Sequence, residues 1–104
     1  MSQAAPCIFC SLSQQRDLHV YHRDHTFAVR DIKPAAPGHT LVINRRHVSS
    51  VFDLDDAEIV SLAHALRELR DDLTRDYGVE SFNVVMNSGA DAGQTVFHAH
   101  AHLI

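Results

Sequence analysis

The chain has 104 residues, 45% of them hydrophobic and 21% charged, with a formal net charge of −4. That length suits a single domain over 1–104 with one core, and the acidic balance gives no basic footprint for a phosphate backbone, so polymeric nucleic acid is not an expected partner. No stretch approaches the roughly 20 apolar residues of a membrane span, and the opening MSQAAPCIFC lacks the basic and apolar regions of a signal peptide, so a cytoplasmic protein without membrane contact is expected.

The elements follow in chain order. Cys7 and Cys10 form a C-x-x-C, too close in sequence to staple distant parts of a fold, which leaves metal, redox and plain packing roles open. HVYHRDHTFAVRDI reads as two short β segments around a polar turn at Arg23 and Asp24. In KPAAPGHTLVIN, Pro34 and Pro37-Gly38 make a turn, and Thr40 to Ile43 supplies an apolar strand for the middle of a sheet. From Asp55 to Tyr77, Ile59, Leu62, Ala63, Leu66, Leu69 and Leu73 recur at three and four residues, predicting an amphipathic helix. Asp55 is its N-cap with Glu58 answering, and Gly78 takes the left-handed position that ends it. SFNVVMN and TVFHAHAHLI follow as strands separated by SGADAGQ. The order β-β-β-α-β-β predicts an α+β domain, a helix packed on a mostly antiparallel sheet.

Nine histidines stand in the chain, three of them at alternate positions near its end. In a strand His98, His100 and His102 share one face and line a surface, while Phe97, Ala99, Ala101 and Leu103 turn to the core. Three readings compete. A two-faced strand exposes polar residues without further purpose, although three consecutive hits weigh against that. One metal bound by all three needs a sharp bend, because the outer pair of a regular strand is about 13 Å apart against Zn–N bonds of about 2 Å. Used separately, a neutral imidazole attacks phosphorus and its neighbour holds a phosphate oxygen or protonates the leaving group. The glycine-containing loop 87–95 suits the third reading, since glycines let backbone N–H groups approach phosphate oxygens.

AGQTVFHAHAHLI resembles the signature of the histidine triad (HIT) family, and CIFC, FAVRDIKPAAPGHTLVINRRHV and NSGADAGQTV match it in order, so the resemblance covers residues 7 to 104. The resemblance implies nucleotidyl hydrolases or transferases with a short N-terminal helix and a five-stranded sheet, the sheets joining across a homodimer. By position it makes His100 the nucleophile toward the α-phosphate of a purine nucleotide, with His98 and His102 completing the catalytic triad and His102 on the transferring phosphate. Asn87, Gly93, Gln94 and Thr95 then bind phosphate oxygens, Asp31 the ribose hydroxyls, and Ile8, Phe9 and Ile32 the base. Read from the residues alone, Asp31 also suits a turn and the three apolar side chains also suit a core.

A third histidine, where the uridylyltransferase branch resembles H-x-H-x-Q, favours hydrolysis of adenosine phosphoramidates or dinucleoside polyphosphates without a catalytic metal. A nucleotide-binding regulatory or scaffolding protein is the alternative. Resemblance to bacterial members with the same CIFC also implies a structural zinc held by Cys7, Cys10, His47 and His98; free packed thiols are the rival there, and the βαβ context of a redox C-x-x-C is missing. The remaining histidines, His19, His22, His25, His39 and His64, read as surface residues, with His39 placed to line the site. Against the family pattern, SLSQQRDLHVY lacks a Gly-Glu-x-Pro stretch and Asn44 stands where proline is common, differences expected to be peripheral. Relatives also continue past the position of Ile104 into a tail that shapes the leaving-group side.

Overall fold

The computed structural model describes residues 7–104; of the sequence-based readings, those on residues 1–6 lie outside it. Five strands, β1 (His19–His22), β2 (Thr26–Arg30), β3 (Thr40–Asn44), β4 (Val84–Val85) and β5 (His100–Leu103), form one antiparallel sheet in the order β1-β2-β3-β5-β4. A short helix α1 (Ile8–Ser13) carries the thiol segment, and a long helix α2 (Asp56–Tyr77) covers the other face. This is the expected α+β architecture. No helix among the described residues is long and apolar enough to cross a membrane.

β3 shows why the sheet holds. All five of its residues are buried, since alternate side chains enter two separate cores. Val42 joins Ala28, Ala101, Leu103 and the α2 residues Leu62, Ala65, Leu69 and Leu73 on one face, while Leu41 and Ile43 join Phe9, Phe27 and Val29 on the other. Each fully buried leucine of α2 contributes about 1.5–3 kcal/mol. The helix begins and ends as its sequence predicts. Asp55 accepts from the Glu58 N–H at 2.9 Å, the Glu58 carboxylate accepts from the Asp55 N–H at 2.9 Å, and Gly78 closes the helix at φ +69°. Gly38, at φ +83°, lets the chain pass where a Cβ would lie 2.7 Å from Leu73 Cδ2.

Three expectations are corrected. The helix buries Glu58, Leu62, Ala65, Leu69 and Leu73, while Ile59 and Ala63 stay exposed. Its stripe is rotated because Glu58 is drawn inward by Asn44 and Arg46. The segment SFNVVMN keeps only two strand residues, Val84 and Val85, both exposed. TVFHAHAHLI is strand only from His100, because the preceding backbone bonds elsewhere: Ala99 N–H donates to Val48 O at 2.7 Å, and Asn44 N–H donates to Ala99 O at 3.2 Å. Outside the ladder the alternation lapses, and Phe97, expected in the core, is 46% exposed.

Candidate functional site

Register places the two strand histidines. Leu41 lies opposite His102 and Ile43 opposite His100, so both imidazoles leave the sheet on the face covered by α1. They do not line an open surface as expected: His98 and His100 are buried and His102 is half-buried. Beside them is a cavity of about 410 Å³ walled by Ile8, Phe9, Leu12, Leu18, Val29, Ile32, Leu41 and Val96, with Arg30, Asp31, Thr95, His100 and His102 as its polar lining. Phe9 sets its ring edge-on to His100 at 4.8 Å. A groove of about 430 Å³ between the β1–β2 turn and α2 holds His25 and His64 but no residue of the triad.

Fixed donors and acceptors assign the ring protons. His98 O can only accept, so His100 donates from Nδ1 across 2.7 Å and keeps Nε2 as its lone pair. For His102 the order is reversed. Ala35 N–H donates to His39 Nδ1 at 3.0 Å, which puts the His39 proton on Nε2, and that nitrogen lies 3.0 Å from His102 Nδ1 and 3.5 Å from Asp31 Oδ2. His102 Nδ1 is then the acceptor, and its proton sits on Nε2. Neighbouring rings, with centroids 5.0 Å apart, therefore offer opposite functions, a bare nitrogen and a donor. Burial pushes the pKa of each below the usual histidine value, and the adjoining imidazoles push the same way, so both are neutral near pH 7.

The third ring belongs to a different cluster. His98 Nε2–H donates to Asn44 O, which frees Nδ1, and that atom lies 3.3 Å from Cys7 Sγ, 3.6 Å from Cys10 Sγ and 3.0 Å from His47 Nδ1. His47 Nδ1 is 3.3 Å from Cys10 Sγ. Four soft or borderline donors thus converge within 4.8 Å of one another, a set that fits tetrahedral zinc. Burial and the neighbouring Cys7 push the Cys10 thiol up. Asp31, His39 and His102 form a second close group, but there the Ala35 N–H keeps the proton on His39 Nε2, the atom a metal would need.

The loop 87–95 folds on itself. Gln94 is buried, with Nε2 donating to Ser49 O and Val96 O and Oε1 accepting from Gly89 N–H; Asn87 Nδ2 donates to Ala92 O. Gly93, at φ +93°, closes the turn. Of the expected site residues, the cavity wall thus gathers Ile8, Phe9, Asp31, Ile32, Thr95, His100 and His102, whereas Asn87, Gly93 and Gln94 stand behind it, shaping the loop. Ile8 and Ile32 are 58% and 90% exposed, so they are not core.

Sequence reading missed two contributors, Asn44 and Arg46, and gave His39 a place beside the site without a role. His39 has the parity of Leu41, which pairs with His102, and that parity was the available signal. Asn44 is not peripheral: it is buried and carries the acceptor that orients His98. Arg46, paired with Glu58 at 2.8 Å, precedes His47 of the thiol and imidazole cluster and left no mark in the sequence pattern.

Comparison with known proteins agrees with this geometry. The HIT domain family model matches residues 13–104. Protein hit of Bacillus subtilis is 33% identical over 106 residues, covering 100% of this chain and 73% of that one. Adenylylsulfatase HINT3 of Arabidopsis thaliana is 28% identical, covering 94% of this chain and 51% of its own. Among solved structures, a HIT family protein from Bacillus anthracis superposes with a TM-score of 0.88 at 35% identity, covering 98% of this chain and 74% of that one. A zinc-bound histidine triad protein from Mycobacterium smegmatis gives 0.85 at 27%, covering 94% and 73%, and a HIT family hydrolase from Clostridium thermocellum gives 0.81 at 31%, covering 98% and 91%.

Proposed function

The chain belongs to the HIT domain family, and from that premise we propose that it is a hydrolase that cleaves a purine nucleotide at its α-phosphate through a nucleotidyl-His100 intermediate. Adenosine phosphoramidates and dinucleoside polyphosphates are the substrate classes. The observation that carries this reading is the pair of opposite ring protonations: a lone pair on His100 Nε2 beside a proton on His102 Nε2, both in the cavity wall. The base lies between Ile8, Phe9 and Ile32, the ribose hydroxyls donate to Asp31, and Thr95 meets the phosphate oxygens, on a loop that Gly93 and Gln94 shape from behind.

His100 Nε2 attacks phosphorus, forming the N–P bond as the bond to the leaving amine or phosphate oxygen breaks. His102 Nε2–H donates a hydrogen bond to that leaving group, which takes its proton from solvent. The positive charge on the attacking ring is relieved through Nδ1 and His98 O. Water then attacks phosphorus, the N–P bond breaks back to His100, and the proton from water passes to solvent, releasing the nucleoside monophosphate. His39 holds His102 in the donor form throughout.

Cys7, Cys10, His47 and His98 would hold zinc as a structural ion; when bound it supplies the charge that lets both thiols stay deprotonated. No catalytic metal is needed, since the attacking and donating groups are both imidazoles. The exposed apolar edge at Val84, Val85 and Met86 supports a homodimer that extends the sheet across two copies. A reduced thiol pair suits the cytoplasm.

Incubation with a fluorogenic adenosine phosphoramidate and with diadenosine polyphosphates tests the reading. Turnover by the wild type, nucleotide trapped on His100 after acid quench and loss of both in His100→Ala support it. Tight nucleotide binding without turnover would instead establish the regulatory alternative.

A further inference from the structure

We propose that Asn44 and Glu58 form a positioning pair for the metal centre, holding through Arg46 and the Asn44 carbonyl both imidazoles of the Cys7, Cys10, His47 and His98 group. The proposal rests on reading that group as a zinc site. Every bond along the run has a fixed direction. Asn44 Nδ2 donates to Glu58 Oε2 at 2.8 Å and to Arg46 O at 2.9 Å, so the amide has one orientation. The Asn44 carbonyl accepts from His98 Nε2–H. Arg46 donates from Nε to Oε2 at 3.1 Å and from Nη2 to Oε1 at 2.8 Å, and the next residue is His47.

Helix capping does not account for this arrangement. The cap needs one acceptor, and Glu58 Oε1 provides it to the Asp55 N–H. Oε2 takes no part in the cap; its bonds go to Asn44 and Arg46, on the strand side. Both Asn44 and Glu58 are 3% exposed, and burying a carboxylate and an amide together is costly unless their bonds are made. Asn44 Oδ1 is left as the one buried side-chain N or O atom without a partner among the described residues, so the amide is held for its donors, even at that cost. Binding of zinc by His98 Nδ1 requires the ring proton on Nε2, and the acceptor that selects this form is the Asn44 carbonyl. The same histidine's own carbonyl then orients His100, so the run from Glu58 reaches the nucleophile.

Zinc affinity of the full chain, measured by competition with a chromophoric chelator, tests the proposal beside the melting temperature of each variant. Glu58→Gln keeps an oxygen for the cap but turns its other terminal atom into a donor that faces the donors of Asn44 and Arg46. Asn44→Ala removes the tie from the strand side. Asp55→Ala breaks the cap and leaves the pair intact. The expected result is that Glu58→Gln and Asn44→Ala each raise the zinc dissociation constant about 10–100-fold, that the double variant is no worse than the weaker single, and that Asp55→Ala changes it less than about 3-fold despite a lower melting temperature. Wild-type zinc affinity in Asn44→Ala, or a loss that follows melting temperature across all variants, overturns the proposal. Should Glu58→Gln not fold, Asn44→Ala carries the same comparison. A folded wild type that takes up no zinc removes the metal reading itself, a separate result from equal affinities.

Discussion

His98 and His102 stand four residues apart on one side of the chain, yet one faces two thiols and the other faces the cavity. The difference lies in what each ring's second nitrogen meets. For His98 it is the Asn44 carbonyl, which takes the Nε2 proton and turns Nδ1 toward Cys7, Cys10 and His47. For His102 it is His39, whose own proton is set by Ala35 N–H, so that Nδ1 accepts and Nε2 donates. A periodic motif therefore yields two sites with different chemistry, and His100 joins them because it bonds to the His98 carbonyl and packs against Phe9 between the two thiols.

The largest effect that separates the two regions is expected from His100→Ala: kcat falls by roughly 10³–10⁶-fold, while zinc content by elemental analysis stays at the wild-type level. Equal loss of zinc would mean that the two regions are one unit. Next is Cys7→Ala, expected to abolish stoichiometric zinc and, at zinc a thousandfold above its dissociation constant, to cost about 4 kcal/mol of stability in thermal unfolding. Because Ile8 and Phe9 lie between the thiols, KM should rise more than kcat falls in that variant. On the cavity side, His39→Ala is expected to lower kcat about 10–100-fold, because His102 then loses the partner that keeps its donor aimed at the leaving group. His39→Gln, whose amide can present a donor where Nε2 stood, should recover most of it.

Acid separates the regions by the pH at which each is lost. His100 acts only when unprotonated, and burial holds its pKa below the usual 6.5, so the acid limb of kcat/KM is expected below pH 6.5. Glu58 is held down from 4.5 to about 2, chiefly by Arg46. Its contribution to stability is complete above about pH 4.5 and lost as pH falls through about 2, so urea unfolding of Glu58→Gln should lack that dependence. The smallest effect concerns Ile32, 90% exposed at the cavity wall. Ile32→Ser should raise KM by roughly 5-fold, from about 1 kcal/mol of lost apolar contact, with no change in melting temperature.

The sequence by itself determined the elements whose signals are local. The α2 cap, its glycine stop and the strand of five buried residues at β3 follow from hydrogen-bonding chemistry and apolar spacing within a few neighbours. The resemblance of HAHAH and CIFC to a family pattern pointed to His100 and to the four residues of the thiol and imidazole cluster, but by analogy of position. Only the tertiary structure decided where β5 begins, since the Ala99 backbone gives its bonds to Asn44 and Val48. It also decided that Ile59 faces out and Glu58 in, because a buried carboxylate is satisfied by Asn44 and Arg46, donors that lie 12 to 14 residues away. Above all it decided the proton on each imidazole. Periodicity sets the side of the sheet from which a ring projects; the nitrogen that carries hydrogen is chosen by an acceptor or donor that folding brings from another strand.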